Sequence, residues 1–286
     1  MRERRMRPGR AGAVLAVSAL LLGGSSIAVP VLPSGVAAGD DAAWRLVFRD
    51  EFEVGVLDPQ RWTTCYWWAT DGCNIGTSGE VEWYQPGNVT VDRGVLRLTA
   101  RRQPIVNDDG ERFAYTSGMV STGRATPDRG VPPLFAFTYG LAEVRARLPA
   151  GAGLWPAFWL LALDHQSRPE IDVMEVLGND ITTLRVHYHS VVDGERVSGG
   201  ERIAASDLSA GWHTYAVDWS PQRIVWYLDG VAKWWVEDPS VISNEPMYLI
   251  LNLAVGGDFA GAPTAATMFP SSYLIEYVRV WQRAGA

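Results

Sequence analysis

From Gly140 to Leu148 the chain alternates without a break: Gly140, Ala142, Val144, Ala146 and Leu148 interleave with Leu141, Glu143, Arg145 and Arg147. A period of two is the signature of a strand with one covered face, and it excludes a helix over the same stretch. Similar runs recur at Val95 to Ala100, His213 to Trp219, Met247 to Leu253 and Leu274 to Trp281, while helical periodicity is nearly absent. Arg223 to Leu228 and Val231 to Val236 flank Asp229-Gly230, a two-residue hairpin signal. Many short strands with turns between them, and neither an internal repeat nor a long linker, lead to an all-β domain of two packed sheets, a sandwich or jelly roll.

Residues 170 to 175 read Glu-Ile-Asp-Val-Met-Glu. In an unbroken strand Glu170 and Asp172 face one way and Glu175 the other. A bulge at Val173 or Met174 adds one residue and returns Glu175 to the face of Glu170 and Asp172. Two carboxylates that flank a glycosidic bond, about 5 to 5.5 Å apart, divide the labour of retaining hydrolysis: one attacks the anomeric carbon and the other protonates the departing oxygen. Glu170 and Glu175 suit those roles. Asp172 between them disfavours full ionisation of the cluster. Three solvated acids on an amphipathic strand are the plain alternative.

The 13 tryptophans of 286 residues supply indole faces that pack on pyranose rings. Trp155 and Trp159 share a strand face opposite Phe158 and Leu160, which makes the first pair a candidate sugar platform and the second a core pair. Trp67, Trp68, Trp83 and Tyr84 are candidates for outer subsites. His187 and His189 also share a face, about 7 Å apart by strand rise, without the further ligands that a catalytic metal needs.

The N-terminus carries Arg2, Arg4, Arg5, Arg7 and Arg10, then an uncharged apolar stretch to about Val31, then Val36-Ala37-Ala38. This pattern predicts a secretory leader over residues 1–38, a single domain over 39–286 and an extracellular destination. Removing that leader takes five arginines and one glutamate, leaving 20 basic against 31 acidic side chains. Scattered arginines among more numerous acids argue against nucleic acid, and no later run is long enough to span a membrane. The expected partner is a neutral polysaccharide, bound by a monomer. Cys65 and Cys73, the only cysteines, are expected to staple their loop as a disulfide in an oxidising compartment.

Several segments resemble glycoside hydrolase family 16 in that family's order: the acid motif, Gly153 to Leu161 (Gly-Leu-Trp-Pro-Ala-Phe-Trp-Leu-Leu), Phe137 to Pro149 and Leu251 to Gly257 (Leu-Asn-Leu-Ala-Val-Gly-Gly). The similarity runs from Asp50 to Val280 and is strongest to the laminarinase-like endo-β-1,3-glucanases. It implies a curved, concanavalin A-like jelly roll with a concave substrate cleft. The implied activity is endo-acting, retaining cleavage of β-1,3-glucan, with Glu170 as nucleophile, Glu175 as acid and then base, and Asp172 tuning Glu170. It places Trp155 and Trp159 beside the cleavage subsite and His187 near the acids in contact with substrate. It implies no catalytic cofactor, and it matches Glu51, Gly94 and Glu276 to a structural calcium site on the convex side. Gly79 and Met119 depart from the family where outer sugars bind, and the loop Thr122 to Leu134 is this chain's own. Mixed-linkage glucan or galactan as substrate, transfer to a sugar acceptor, and a non-catalytic glucan-recognition module therefore stay open.

Overall fold

A computed structural model describes residues 44–68, 73–75, 78–163 and 168–284, with the backbone of Arg4–Arg5 and Gly9–Arg10. The leader expected over 1–38 lies outside the described residues apart from those two dipeptides, which pair with the sheet edges at Glu195–Ala204 and Val231–Val236.

The principal strands are β1 (Trp44–Asp50), β2 (Val89–Asp92), β3 (Val95–Ala100), β4 (Met119–Ser121), β5 (Gly140–Arg147), β6 (Leu154–Ala162), β7 (Glu170–Glu175), β8 (Thr183–Val192), β9 (Glu195–Ala204), β10 (His213–Trp219), β11 (Ile224–Leu228), β12 (Val231–Val236), β13 (Met247–Val255) and β14 (Ser271–Arg283). They form two large antiparallel sheets. One runs β9-β8-β7-β6-β13-β4 and the other β12-β11-β10-β5-β14-β3-β2, with β1 also paired to β14. The only α-helix among the described residues is the single turn Gly257–Ala260, so no described helix is long enough to cross a membrane.

Alternation along the strands builds the core. Phe158 and Leu160 of β6, Ile171 and Val173 of β7, Val186 and Tyr188 of β8 and Leu249 and Leu251 of β13 meet Ala142, Val144, Tyr215, Val217, Trp226 and Val278 from the second sheet. The other face of the first sheet carries Ala157, Trp159, Leu161, Tyr248 and Ile250, packed against Tyr66, Trp67 and Tyr84 of the covering loops. The β11–β12 turn is as expected: Asp229 and Gly230 both adopt positive φ, 51° and 74°, where glycine is free of strain and aspartate is tolerated.

Candidate active site

The site stands on the outer face of the first sheet, and its geometry begins with an irregularity in β7. Against β6, Phe158 pairs with Met174 and Trp159 with Asp172, leaving Val173 as the extra residue. Against β8, Asp172 pairs with His187 while Glu175 pairs with Arg185. The expected bulge is present. Val173 and Met174 both enter the core, and Glu170, Asp172 and Glu175 share the outer face. A bulge breaks the ladder, and here the Asp172 carbonyl accepts the indole N–H of Trp226, which crosses from the second sheet at 2.9 Å.

Asp172 and Glu175 are buried, 5% and 8% exposed, and Glu170 is half-buried. Burial, together with Glu170 and Glu175, pushes the Asp172 carboxyl well above the usual carboxylate range. The hydrogen bond between Asp172 and Glu170 offsets part of the rise that burial and Glu175 impose on Glu170; that group is pushed up to about 7. Glu175 is gripped from two sides: the Trp155 indole N–H donates to Oε1 at 3.1 Å and the His187 Nδ1 lies 3.3 Å from Oε2. His189 Nε2 lies 3.5 Å from Asp172, and its ring stacks on His187 with centroids 5.8 Å apart.

The two tryptophans of β6 differ. Trp155 is half-buried and meets the exposed Phe259 edge-on at 5.1 Å. Trp159 shares its face but is only 9% exposed, and its N–H is bound to Asn252 at 2.8 Å. It floors the site instead of presenting an open platform. Asn252 in turn donates to the Tyr84 hydroxyl at 2.9 Å, so a Tyr84–Asn252–Trp159 relay links the covering loop to the sheet. Trp83, one residue away on the opposite face of the same short strand, packs on Phe113 at 5.0 Å and touches none of the acids. The staple of the covering loop is the Cys65–Cys73 disulfide.

Sequence reading missed Asn252, Trp226 and a second buried acid pair, Glu80 and Glu82. Burial raises both of these acids; Glu82 adds to the rise of Glu80, while the hydrogen bonds from Glu80 and from the Val255 N–H, at 2.8 Å, offset part of the rise of Glu82, and the second ties the covering segment to the end of β13. The Glu-Val-Glu spacing at 80 to 82 was the available signal.

Of the residues that the resemblance matches to calcium, Glu51, Gly94 and Glu276, the two acids carry ion pairs. Gly94 does lie beside the Glu51 carbonyl oxygen. The Glu51 carboxylate, however, is closed by a bidentate pair with Arg279 at 2.8 and 2.9 Å, and Glu276 is paired with Arg145. A hard cation takes oxygen donors, and at these two carboxylates it would compete with the guanidinium groups of Arg279 and Arg145. In the site itself, Glu170, Asp172 and His189, and likewise Asp172, Glu175 and His187, bring ligand atoms within 4.8 Å of one another.

An antiparallel two-sheet sandwich with a bulged strand that aligns three carboxyl groups on its open face is a glycosidase architecture. The chain belongs to glycosyl hydrolases family 16, whose model matches residues 79–278. It is 36% identical over 248 residues to the endo-1,3-1,4-beta-glycanase ExsH of Rhizobium meliloti (strain 1021), covering 82% of this chain and 51% of that protein. It is 31% identical over 268 residues to the beta-glucanase of Rhodothermus marinus, covering 84% and 85%. The X-ray structure of endo-beta-1,3-glucanase from Pyrococcus furiosus superimposes with a TM-score of 0.73 at 30% identity, over 85% of this chain and 96% of that one. The chain spans about half the length of the first curated relatives it matches.

Proposed function

We propose that the protein hydrolyses internal bonds of a β-glucan, most simply β-1,3-glucan, with retention of anomeric configuration. The observation that carries the reading is the bulge at Val173, which turns Glu175 onto the face of Glu170 and Asp172. In the first step Glu170 attacks the anomeric carbon while Glu175 gives its proton to the departing glycosidic oxygen, and a glycosyl ester forms on Glu170. In the second, Glu175 takes a proton from water, which attacks the same carbon and releases Glu170. Asp172 donates its hydrogen bond to Glu170 as the leaving carboxylate recovers its charge. The chain supplies both acids, so the reaction asks for no cofactor. Trp155 and Phe259 border the acid/base as sugar-facing aromatics, and neutral glucan agrees with the acidic surface balance.

Relatives named as endo-1,3-1,4-beta-glycanase and beta-glucanase support a glucan substrate and make mixed-linkage glucan the main competitor to laminarin. The arginine-rich start and apolar stretch support export after removal of residues 1–38. Reducing-sugar release from laminarin, mixed-linkage glucan, agarose and carrageenan, with Glu170→Gln as control, tests the reading. Glucan-specific release, abolished in the variant, is expected. Release from a galactan alone moves the substrate, and binding without release from any polymer points to a recognition module.

A further inference from the structure

We infer that Gly200 is a positioning residue for the acid/base. It acts through His187, and the inference rests on the assignment of Glu175 as that group. Gly200 lies on β9, the strand beyond β8, directly opposite His187 in the register. Its φ is not in the left-handed region, so backbone freedom does not account for a glycine there. Space does. A Cβ built on Gly200 falls 2.1 Å from His187 Cδ2, 2.7 Å from His187 Nε2 and 2.5 Å from the Val186 carbonyl oxygen. Real Cβ contacts are never that short, so the imidazole occupies the volume that any other residue at 200 would need.

The ring is held there by what surrounds it. One face stacks on His189, with ring planes 13° apart, and Nδ1 lies 3.3 Å from the Glu175 carboxylate. The Val186 carbonyl belongs to the β8–β9 ladder and yields less readily than a half-exposed side chain. A side chain at 200 therefore expels the imidazole toward solvent, away from Glu175. The Trp155 N–H remains on the other carboxylate oxygen. The acid/base then keeps one of its two holders and loses its fixed aim at the glycosidic oxygen.

The test is a double-mutant cycle in the full chain. Gly200→Ala, His187→Ala and the double variant are compared for kcat/KM on laminarin oligosaccharides and on an aryl β-glycoside with a 2,4-dinitrophenyl leaving group. That phenolate departs without a proton, so kcat/KM, which reports events through formation of the glycosyl ester, no longer needs the acid. On the oligosaccharide, Gly200→Ala is expected to lower kcat/KM roughly 10-fold to 100-fold, mostly in kcat, and to add nothing in the His187→Ala background. On the dinitrophenyl substrate the loss is expected to shrink to less than about threefold. Equal losses on both substrates, losses that multiply in the double variant, wild-type activity, or failure of Gly200→Ala to fold each overturn the inference. If Glu175→Gln shows no such leaving-group dependence, the acid assignment itself fails. That result is distinguishable, because it appears without any change at Gly200.

Discussion

Glu170→Gln is expected to destroy activity and to stabilise the fold, with a pH dependence that identifies the cause. Burial and Glu175 lift Glu170 from 4.5 to about 7. A group whose pKa is higher in the folded state contributes stability below its unfolded value and loses that contribution as pH rises through its folded value. The wild type thus gives up stability between about pH 4.5 and 7, as an ionised carboxylate is forced into the cluster. The full elevation corresponds to about 3 kcal/mol, and the partial solvent access of Glu170 reduces the expectation to about 2 kcal/mol. Glutamine is nearly isosteric, still accepts the Asp172 hydrogen bond and never ionises. Thermal unfolding followed by circular dichroism from pH 4 to 8 should show equal Tm values near pH 4. Above pH 7 the variant should unfold about 4 to 8 °C higher. A difference that does not change with pH, or a more stable wild type above pH 7, refutes the reasoning.

Three further outcomes follow from the same geometry. Because Glu170 must be ionised to attack, kcat/KM should fall about tenfold per pH unit below about 7, and a profile flat to pH 5 contradicts the assignment. Trp155→Phe keeps the ring against Phe259 but removes the N–H on Glu175; kcat should drop roughly 10-fold with KM changed less, measured on laminarin. Trp226→Phe strips the partner from the Asp172 carbonyl at the bulge, at a cost of about 1 to 3 kcal/mol in urea unfolding, and should lower kcat as well because the bulge aims the acids.

Local patterns reported local facts well. Alternation located β12 because one of its faces is covered more than the other, it located β10 although Tyr215 to Trp219 are buried on both faces, and Asp229-Gly230 marked a turn that demands positive φ. The six-residue acid motif disclosed its bulge because no regular strand aligns Glu170, Asp172 and Glu175. What stayed hidden depends on partners distant in the chain. Arg279 and Arg145 reach Glu51 and Glu276 only once β14 lies beside β1 and β5, and that pairing engages the two carboxylates that the resemblance matches to calcium. Trp159 lies on the face that carries the acids, yet its burial is set by Tyr66 and Tyr84, which arrive from a covering segment. His187 is recognisable by resemblance, but the vacancy at Gly200 that receives its ring follows from the β8–β9 register alone.

Retention is the consequence most specific to Glu170 as nucleophile and Glu175 as acid/base. Proton NMR of laminarin oligosaccharide cleavage, recorded before mutarotation, reads the anomer formed first. The account predicts the β-anomer, produced by wild type and absent with Glu170→Gln. First appearance of the α-anomer would mean direct attack by water and would contradict the assignment of Glu170.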